Sequence, residues 1–347
     1  MSIYLDYNAT AKVRPEVAAA VAEALAEGGN PSSVHAAGRA ARARVEQARA
    51  EVAALVGAAP AAVTFVSGGT EADALAIESA LAAGCERIIV GATEHEAVAE
   101  TAKASGVRVE EWRVDEDGVA DLMWLVRALD GGRRTLVCLM AANNETGVIQ
   151  PVAEAADAVR AAGGWLHVDA VQAAGKIPLD FTELGADTLA LSAHKLGGPQ
   201  GVGALVAGPR ATLSRRLHGG GQERGLRSGT ENVAGIAGFA AAARAAQAGL
   251  PRMTALVEYR DLLAETVKAA GAVVLGEGAP RLPQTLCFAT PGFASELQVM
   301  GLDLAGVMVS AGAACTSGKV KASRVIEAMG HADLSPFGIR VSGGWDT

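Results

Sequence analysis

The chain has 347 residues, half of them apolar, which is enough to bury a large core and predicts two domains. Its formal net charge of −8 argues against nucleic acid or a membrane surface as the main partner, because those surfaces need concentrated lysine and arginine. Four widely spaced cysteines form no CxxC pair, so we expect no disulfide framework and no metal site. The N-terminus lacks a basic segment followed by an apolar one, which is typical of a cytoplasmic protein.

The first part of the chain predicts two alanine-rich helices and then a short buried strand. The helices are expected at about residues 15–27 and 34–56, and the strand at 63–66. Gly69 and Thr70 come between this strand and a third predicted helix. Small residues at such a position leave backbone N–H groups free at the helix N-terminus, which favours a bound phosphate. The spacing matches neither a P-loop nor GxGxxG, so an ordinary strand-to-helix turn is the alternative.

Residues 87–191 alternate between strands and helices. Strands are predicted at 87–90, 107–112, 135–141, 165–169 and 187–191, an order typical of an α/β fold with a largely parallel sheet. Four polar residues fall where these strands end, namely His95, Asn144, Asp169 and Lys195. Ligands in open α/β sheets bind outside the carboxyl ends of the strands, so we expect these four side chains to share one site.

The chemistry of these side chains indicates an aldehyde cofactor with a pyridine ring. Lys195 is held at a strand end and is a candidate for a Schiff base. Asp169 could pair with a protonated ring nitrogen, and His95 could stack on the ring. The plainer alternatives are a surface lysine, a helix-capping aspartate, and a helix cap or surface loop at His95 and Asn144.

The C-terminal part of the chain contains three further features. The glycine-rich segment 218–230 is either a phosphate clasp or a flexible surface loop, and from about residue 251 the pattern predicts a second, smaller α+β domain. Cys315 lies among small residues and is followed by lysines, which favours an accessible, nucleophilic thiolate. Arg340, inside an apolar strand, is either a bidentate partner for a carboxylate or a snorkelling arginine at a sheet edge.

Nine motifs, taken together, resemble those of the cysteine desulfurases of the NifS/IscS type, which are class V, fold-type I pyridoxal-phosphate enzymes. The motifs extend nearly from end to end of the chain. They are Tyr4-Leu-Asp-Tyr-Asn-Ala-Thr, Gly29-Asn-Pro-Ser-Ser, Ser67-Gly-Gly-Thr-Glu, Thr93-Glu-His-Glu-Ala-Val, Asn143-Asn-Glu-Thr-Gly, His167-Val-Asp-Ala-Val-Gln, Ser192-Ala-His-Lys, Gly219-Gly-Gly-Gln-Glu-Arg-Gly-Leu-Arg-Ser-Gly-Thr and Ala314-Cys-Thr-Ser.

The resemblance implies the α/β fold of the fold-type I transferases that depend on pyridoxal 5'-phosphate. Residues 13–250 would form a large cofactor-binding domain with a mainly parallel seven-stranded sheet. Residues 1–12 and 251–347 would form a smaller α+β domain that carries the Cys315 loop. The family usually continues through another helix of this domain, so the C-terminus is short by comparison.

The resemblance also implies roles for single residues. Lys195 would carry the cofactor, Asp169 would hold its ring nitrogen, and His95 would stack on its ring. The other cofactor contacts would be Gln172 at the ring hydroxyl and, at the phosphate, Gly69, Thr70, Ser192, His194 and Thr230, the last from the other subunit of a homodimer. Asn144 and Arg340 would hold the carboxylate of the substrate.

The implied activity is cysteine desulfuration. L-cysteine would become L-alanine, with its sulfur left as a persulfide on Cys315. A sulfur-acceptor protein, such as an iron–sulfur scaffold, would take the sulfur for iron–sulfur cluster or thio-cofactor and tRNA biosynthesis. A selenocysteine lyase or another class V aminotransferase is the alternative enzyme, and an aminotransferase would not need Cys315. A catalytically silent docking protein is the alternative from a different class.

Overall fold

The computed structural model of the chain describes residues 2–131, 134–312 and 322–347. The helices within these ranges are Pro15–Glu27 (α1), Ala36–Leu55 (α2), Gly69–Ala82 (α3), Glu96–Ala104 (α4), Leu122–Leu129 (α5), Val152–Ala161 (α6), Phe181–Leu184 (α7), Val233–Ala248 (α8), Leu250–Ala269 (α9), Ser295–Leu304 (α10) and Arg324–Ala328 (α11). The strands are Ile3–Tyr4 (β1), Val63–Val66 (β2), Arg87–Gly91 (β3), Arg108–Trp112 (β4), Thr135–Cys138 (β5), Trp165–Asp169 (β6), Thr188–Ser192 (β7), Gly203–Ala207 (β8), Val273–Val274 (β9), Thr285–Ala289 (β10), Val307–Met308 (β11), Ser310–Ala311 (β12) and Gly338–Ser342 (β13).

The large sheet has seven strands in the order β2-β8-β7-β6-β5-β3-β4. The five neighbouring strands β4, β3, β5, β6 and β7 are parallel to one another. Strand β8 runs antiparallel to both of its neighbours, β2 and β7. Several strands, such as β7, are buried along their whole length because helices cover both faces of the sheet. The prediction of an α/β fold with a mainly parallel seven-stranded sheet is therefore confirmed.

One predicted strand ends earlier than expected. The strand predicted at 135–141 ends at Cys138, although the N–H groups of Leu139 and Ala141 still donate to the carbonyls of His167 and Asp169, at 3.0 and 2.8 Å. The chain therefore stays against β6 beyond the last regular residue of β5. This path carries the loop that contains Asn144 to the edge of the sheet.

Helix α8 packs closely against α1 and α2 because its side chains are small. A Cβ atom on Gly238 would lie 2.7 Å from Cγ2 of Val21 and 3.0 Å from Cδ of Pro199. Glycine is therefore required where α8 approaches these neighbours. Among the described residues, no single helix is long and apolar enough to cross a membrane, although α8 and α9 together, bent by 63°, meet the requirements of length and composition.

A second, antiparallel sheet has the strand order β12-β13-β10-β9. The N-terminal residues join this part of the molecule, because β1 pairs with β11 and Asp6 forms a bridge with Ser342. Farther along the chain, Trp345 stacks on Arg14 at 5.1 Å and donates to the carbonyl of Lys12. The division into residues 13–250 on one side and 1–12 with 251–347 on the other stays a prediction.

Candidate active site

A cleft of about 760 Å³ opens where the parallel strands of the large sheet end, and residues of the second sheet and of α10 close its other side. A volume of this size suits a cofactor or another small molecule. Ten of the predicted site residues line the cleft, namely Gly69, Thr70, His95, Asn144, Asp169, Gln172, Ser192, His194, Lys195 and Arg340. The expectation that these side chains share one site thus agrees with the geometry of the cleft.

Lys195 presents its amine to the cleft from a short 3₁₀ turn, Ala193–Lys195, directly after β7. The amine donates to the backbone oxygens of Asn8, at 2.5 Å, and Ala9, at 2.8 Å. Burial, and then the positive charge of Arg340, lower the pKa of Lys195 to about 8. An amine with this pKa is partly neutral near pH 7, as a nucleophile or a base must be.

Asp169 is the last residue of β6, the strand next to β7. Its Oδ1 accepts the N–H of Val171 at 2.9 Å, so it supports a turn and does not cap a helix. Burial, and then the nearby carboxyl group of Asp73, raise the pKa of Asp169 to about 6. A buried carboxylate of this kind is stabilised by a cationic partner, such as a protonated ring nitrogen.

Asp73, which also lines the cleft, forms a pair with His167 deep in the core. Oδ1 of Asp73 lies 3.1 Å from Nε2 of His167, whose Nδ1 lies 3.0 Å from Oγ1 of Thr188. Burial raises the pKa of Asp73 to about 8 and lowers the pKa of His167 to about 4. The pair is therefore uncharged at neutral pH and does not offer the cleft a second carboxylate.

His95 is both a helix cap and a cleft residue. Its Nδ1 accepts the N–H of Ala97 at 3.1 Å at the start of α4, which leaves Nε2 to carry the ring proton. The preceding residue, Glu94, is buried and accepts a hydrogen bond from the N–H of Met140. Burial, and then Asp169, raise the pKa of Glu94 well above its ordinary value, which favours the protonated form of this side chain.

A side pocket of about 310 Å³ adjoins the cleft at the N-terminus of α3. The first N–H groups of this helix and the side chains of Thr70, Ser192 and His194 form an anion-binding surface. Burial, and then the charges of Lys195 and Lys176, lower the pKa of His194 to about 4. His194 is therefore a neutral hydrogen-bonding group.

Arg340 lies in β13, which pairs with a strand on each side, and its side chain is buried. The alternative of a snorkelling edge arginine is therefore wrong. Nη2 lies 2.7 Å from Oδ1 of Asp6, and Nη1 donates to the backbone oxygen of Asn144 at 3.1 Å. Among the described residues, the buried Nε of Arg340 has no hydrogen-bond partner. The side chain lines the cleft, where its positive charge can attract an acidic ligand.

One predicted site residue within the described ranges is not brought to the cleft. Thr230 is exposed and is absent from the described residues that line the cleft. Cys315 lies outside the described residues. Ser310 and Ala311, which precede it in the chain, do line the cleft.

The sequence analysis did not single out Asp73, Asn8 or Lys176, all of which are buried at or behind the cleft. Asp73 was detectable in principle, because a carboxylate inside an apolar helical segment needs a partner. No comparable signal marks Asn8 and Lys176, since only the fold brings them together, with Nζ of Lys176 3.3 Å from Oδ1 of Asn8.

Comparisons with known proteins agree with this geometry. The family model described as aminotransferase class-V matches residues 3–342. A cysteine desulfurase of Cereibacter sphaeroides is 44% identical over 338 residues, covering 94% of this chain and 86% of the relative. A cysteine desulfurase of Frankia sp. (strain EuIK1) is 45% identical over 353 residues, covering 95% and 83%.

Among solved structures, the X-ray structure of a NifS-like protein from Rickettsia africae ESF-5 superposes with a TM-score of 0.91 at 30% identity. The superposition covers 100% of this chain and 95% of the other. The resemblance in the nine motifs is therefore confirmed, and so is the fold-type I architecture. The chain belongs to the class-V aminotransferase family, among the cysteine desulfurases.

Proposed function

We propose that the protein is a cysteine desulfurase that depends on pyridoxal 5'-phosphate and converts L-cysteine to L-alanine. The observation that carries the proposal is the amine of Lys195, held at the floor of the cleft with a pKa lowered to about 8. The names of relatives that are 44% and 45% identical over most of the chain support the choice of cysteine as substrate.

The residues of the cleft fit this cofactor. Asp169 supplies a buried carboxylate for the ring nitrogen, and His95 stands at the wall of the cleft where a ring could stack. The side pocket at α3 supplies N–H groups and hydroxyls for a phosphate. When bound, the cofactor supplies an aldehyde that links covalently to an amine and a cationic ring that takes up electrons released at the substrate Cα.

Lys195 would hold the cofactor and, once the substrate amine has displaced it, would move a proton from the substrate Cα. Its lowered pKa is suited to this role, because a base must be neutral before it can accept a proton. Asn144 and Arg340, both of which line the cleft, would bind the substrate carboxylate.

Cys315 would receive the sulfur. Its thiolate would attack the substrate sulfur, so that a sulfur–sulfur bond forms while the carbon–sulfur bond of the substrate breaks. The products would be a persulfide on Cys315 and, after protonation, alanine. We further propose that an acceptor protein, such as an iron–sulfur scaffold, takes the persulfide sulfur.

A homodimer in the cytoplasm would complete the site. Thr230 is exposed in the single chain. A residue that contacts the phosphate bound to the other subunit would be exposed in this way. The cysteines among the described residues, Cys85, Cys138 and Cys287, are free thiols, in keeping with a reducing compartment.

The test is a single-turnover measurement of sulfide and alanine released from cysteine, with and without a reductant, while the visible spectrum is recorded. We expect the wild-type protein to be yellow and to form alanine and sulfide in equal amounts, and Cys315→Ala to stall. A yellow protein in which Cys315→Ala retains full turnover would contradict desulfuration and favour an aminotransferase. A protein that binds no chromophore would favour the silent docking protein.

The same assay separates the alternative lyase. Selenocysteine and cysteine are supplied in turn at equal concentrations, and kcat/KM is compared. A preference for cysteine is expected, whereas turnover of selenocysteine alone would favour a selenocysteine lyase.

A further inference from the structure

A buried amine that the proposed chemistry does not use lies behind the cleft. Lys176 is 4% exposed, and its Nζ donates to Oε1 of Gln172 and lies 3.3 Å from Oδ1 of Asn8. Burial, and then the charges of Lys195 and Arg340, lower the pKa of Lys176 well below its ordinary value. Burial of a lysine amine costs folding free energy unless its N–H groups form hydrogen bonds. The two amide side chains that accept these hydrogen bonds therefore indicate what Lys176 does.

Backbone carbonyls fix the orientation of both amide side chains. Nε2 of Gln172 lies 2.9 Å from the backbone oxygen of Asn8, and Nδ2 of Asn8 lies 3.1 Å from the backbone oxygen of Asn144. A carbonyl oxygen can only accept, so each amide must turn its nitrogen toward its carbonyl. Both amide oxygens then face Lys176.

This arrangement determines what Gln172 can offer to the cleft that it lines. Its oxygen is occupied by Lys176, and one N–H is occupied by the carbonyl of Asn8. Its second N–H has no partner in residues 2–131, 134–312 and 322–347. With its oxygen turned toward Lys176 and one N–H group free, Gln172 is oriented to act toward a bound group as a donor.

We propose that Lys176 is a positioning residue that holds Gln172 as a hydrogen-bond donor toward the cofactor. The inference rests on the proposed function and on the resemblance, which implies that Gln172 meets the ring hydroxyl of pyridoxal phosphate. A donor at this place stabilises the ionised ring oxygen. An amide turned the other way would place its own oxygen against that anion and destabilise it.

The test is a pH titration of the visible absorption band of the loaded protein. In Lys176→Met the amide oxygen of Gln172 loses its donor, and only the carbonyl of Asn8 still orients the group. The ionised ring oxygen should then be less stable, and the linked proton should be retained to higher pH. We expect the midpoint to rise by about 1 to 2 pH units, the effect of one hydrogen bond to a charged group. Lys103→Met, which removes an exposed lysine far along α4, is the matched control and should leave the midpoint unchanged.

Loss of the charge of Lys176 alone would also raise the midpoint. The double variant Lys176→Met, Gln172→Met distinguishes this effect of charge from an effect that acts through Gln172. If Lys176 acts through Gln172, then Lys176→Met should have no further effect in a Gln172→Met background. An equal rise in both backgrounds would show that Lys176 acts by its charge, and the proposal would be overturned.

Gln172→Glu keeps Lys176 in place and serves if Lys176→Met does not fold. The carboxylate still accepts from Lys176 but offers no N–H to the cleft, so the midpoint should rise here as well. An unchanged midpoint would overturn the donor role. If the wild-type protein forms no visible band, this inference and the proposed function both fail, whereas a normal wild-type band with unaltered variants contradicts only the role of Lys176.

Discussion

Oδ1 of Asp73 lies 3.1 Å from Nε2 of His167, and both side chains are buried where α3 packs on the large sheet. The pKa of Asp73, about 8, lies above that of an aspartate in the unfolded chain because of burial. Between pH 4 and pH 8 the folded state therefore holds a proton on Asp73 that the unfolded chain has lost. This group lowers the free energy of unfolding progressively as the pH rises through that range.

Replacing Asp73 by asparagine should stabilise the protein more at pH 8 than at pH 5. The amide keeps the shape of the side chain and does not titrate. The fall in free energy of unfolding that Asp73 causes as the pH rises should therefore disappear. The gain in free energy of unfolding between the two pH values should approach roughly 4 kcal/mol, since three pH units at about 1.4 kcal/mol each are involved. Denaturant unfolding at both pH values measures it. Asp157→Asn at an exposed site is the control, and an equal gain at pH 5 and pH 8 would contradict the shift.

The lowered pKa of Lys195 predicts how fast the cofactor is taken up. Only the neutral amine reacts with an aldehyde, so the rate should rise with pH and level off just above pH 8. At pH 7 about a tenth of the amine is neutral, and the rate should be about a tenth of its plateau. Stopped-flow absorbance after mixing unloaded protein with pyridoxal phosphate gives the profile, and a rate that still rises about tenfold between pH 8 and pH 9 would show an ordinary lysine.

Arg340→Gln should raise KM for cysteine more than it lowers kcat. The change removes a charged partner of the substrate carboxylate but leaves burial, the larger cause of the lowered pKa of Lys195, in place. Most of the loss should therefore fall on binding. A hydrogen bond to a charged group corresponds to about a 10- to 100-fold effect. Steady-state kinetics measure it against Arg108→Gln, an exposed control. A fall in kcat with KM unchanged would show that Arg340 acts in the chemical step and not in substrate binding.

The proposed dimer can be tested by mixing two defective proteins. Lys195→Ala and Thr230→Ala should each be impaired, but a mixed dimer would contain one site with both residues intact if Thr230 acts across the interface. After subunit exchange we expect about a quarter of the wild-type activity, since half of the dimers are mixed and each has one good site. Activity that stays at the mean of the two variants would place Thr230 in its own subunit's site or outside it.

The sequence allowed the sheet and most of the cleft to be predicted, because both depend on local patterns. Strand ends are visible as apolar runs that stop, and Asp169 and Lys195 follow such ends directly. Asn8 could not be recognised in this way. Its local sequence predicts only a turn, whereas its partners are residues far along the chain that the fold brings to it. Thr230 shows the opposite limit, since the contact that we propose for it across subunits would leave no trace in the fold of one chain.

Asn8 also bears on how the protein matures during synthesis. Its backbone N–H donates to Oγ of Ser342 and its Nδ2 donates to Oγ1 of Thr285, partners that are 334 and 277 residues away. The strands of the large sheet all lie between residues 63 and 207, so a nascent chain can complete that sheet while Asn8 still lacks these partners. Contacts of such long sequence separation form late in folding. A nascent chain should therefore gain its capacity for the cofactor only after residues 338–342 have emerged from the ribosome.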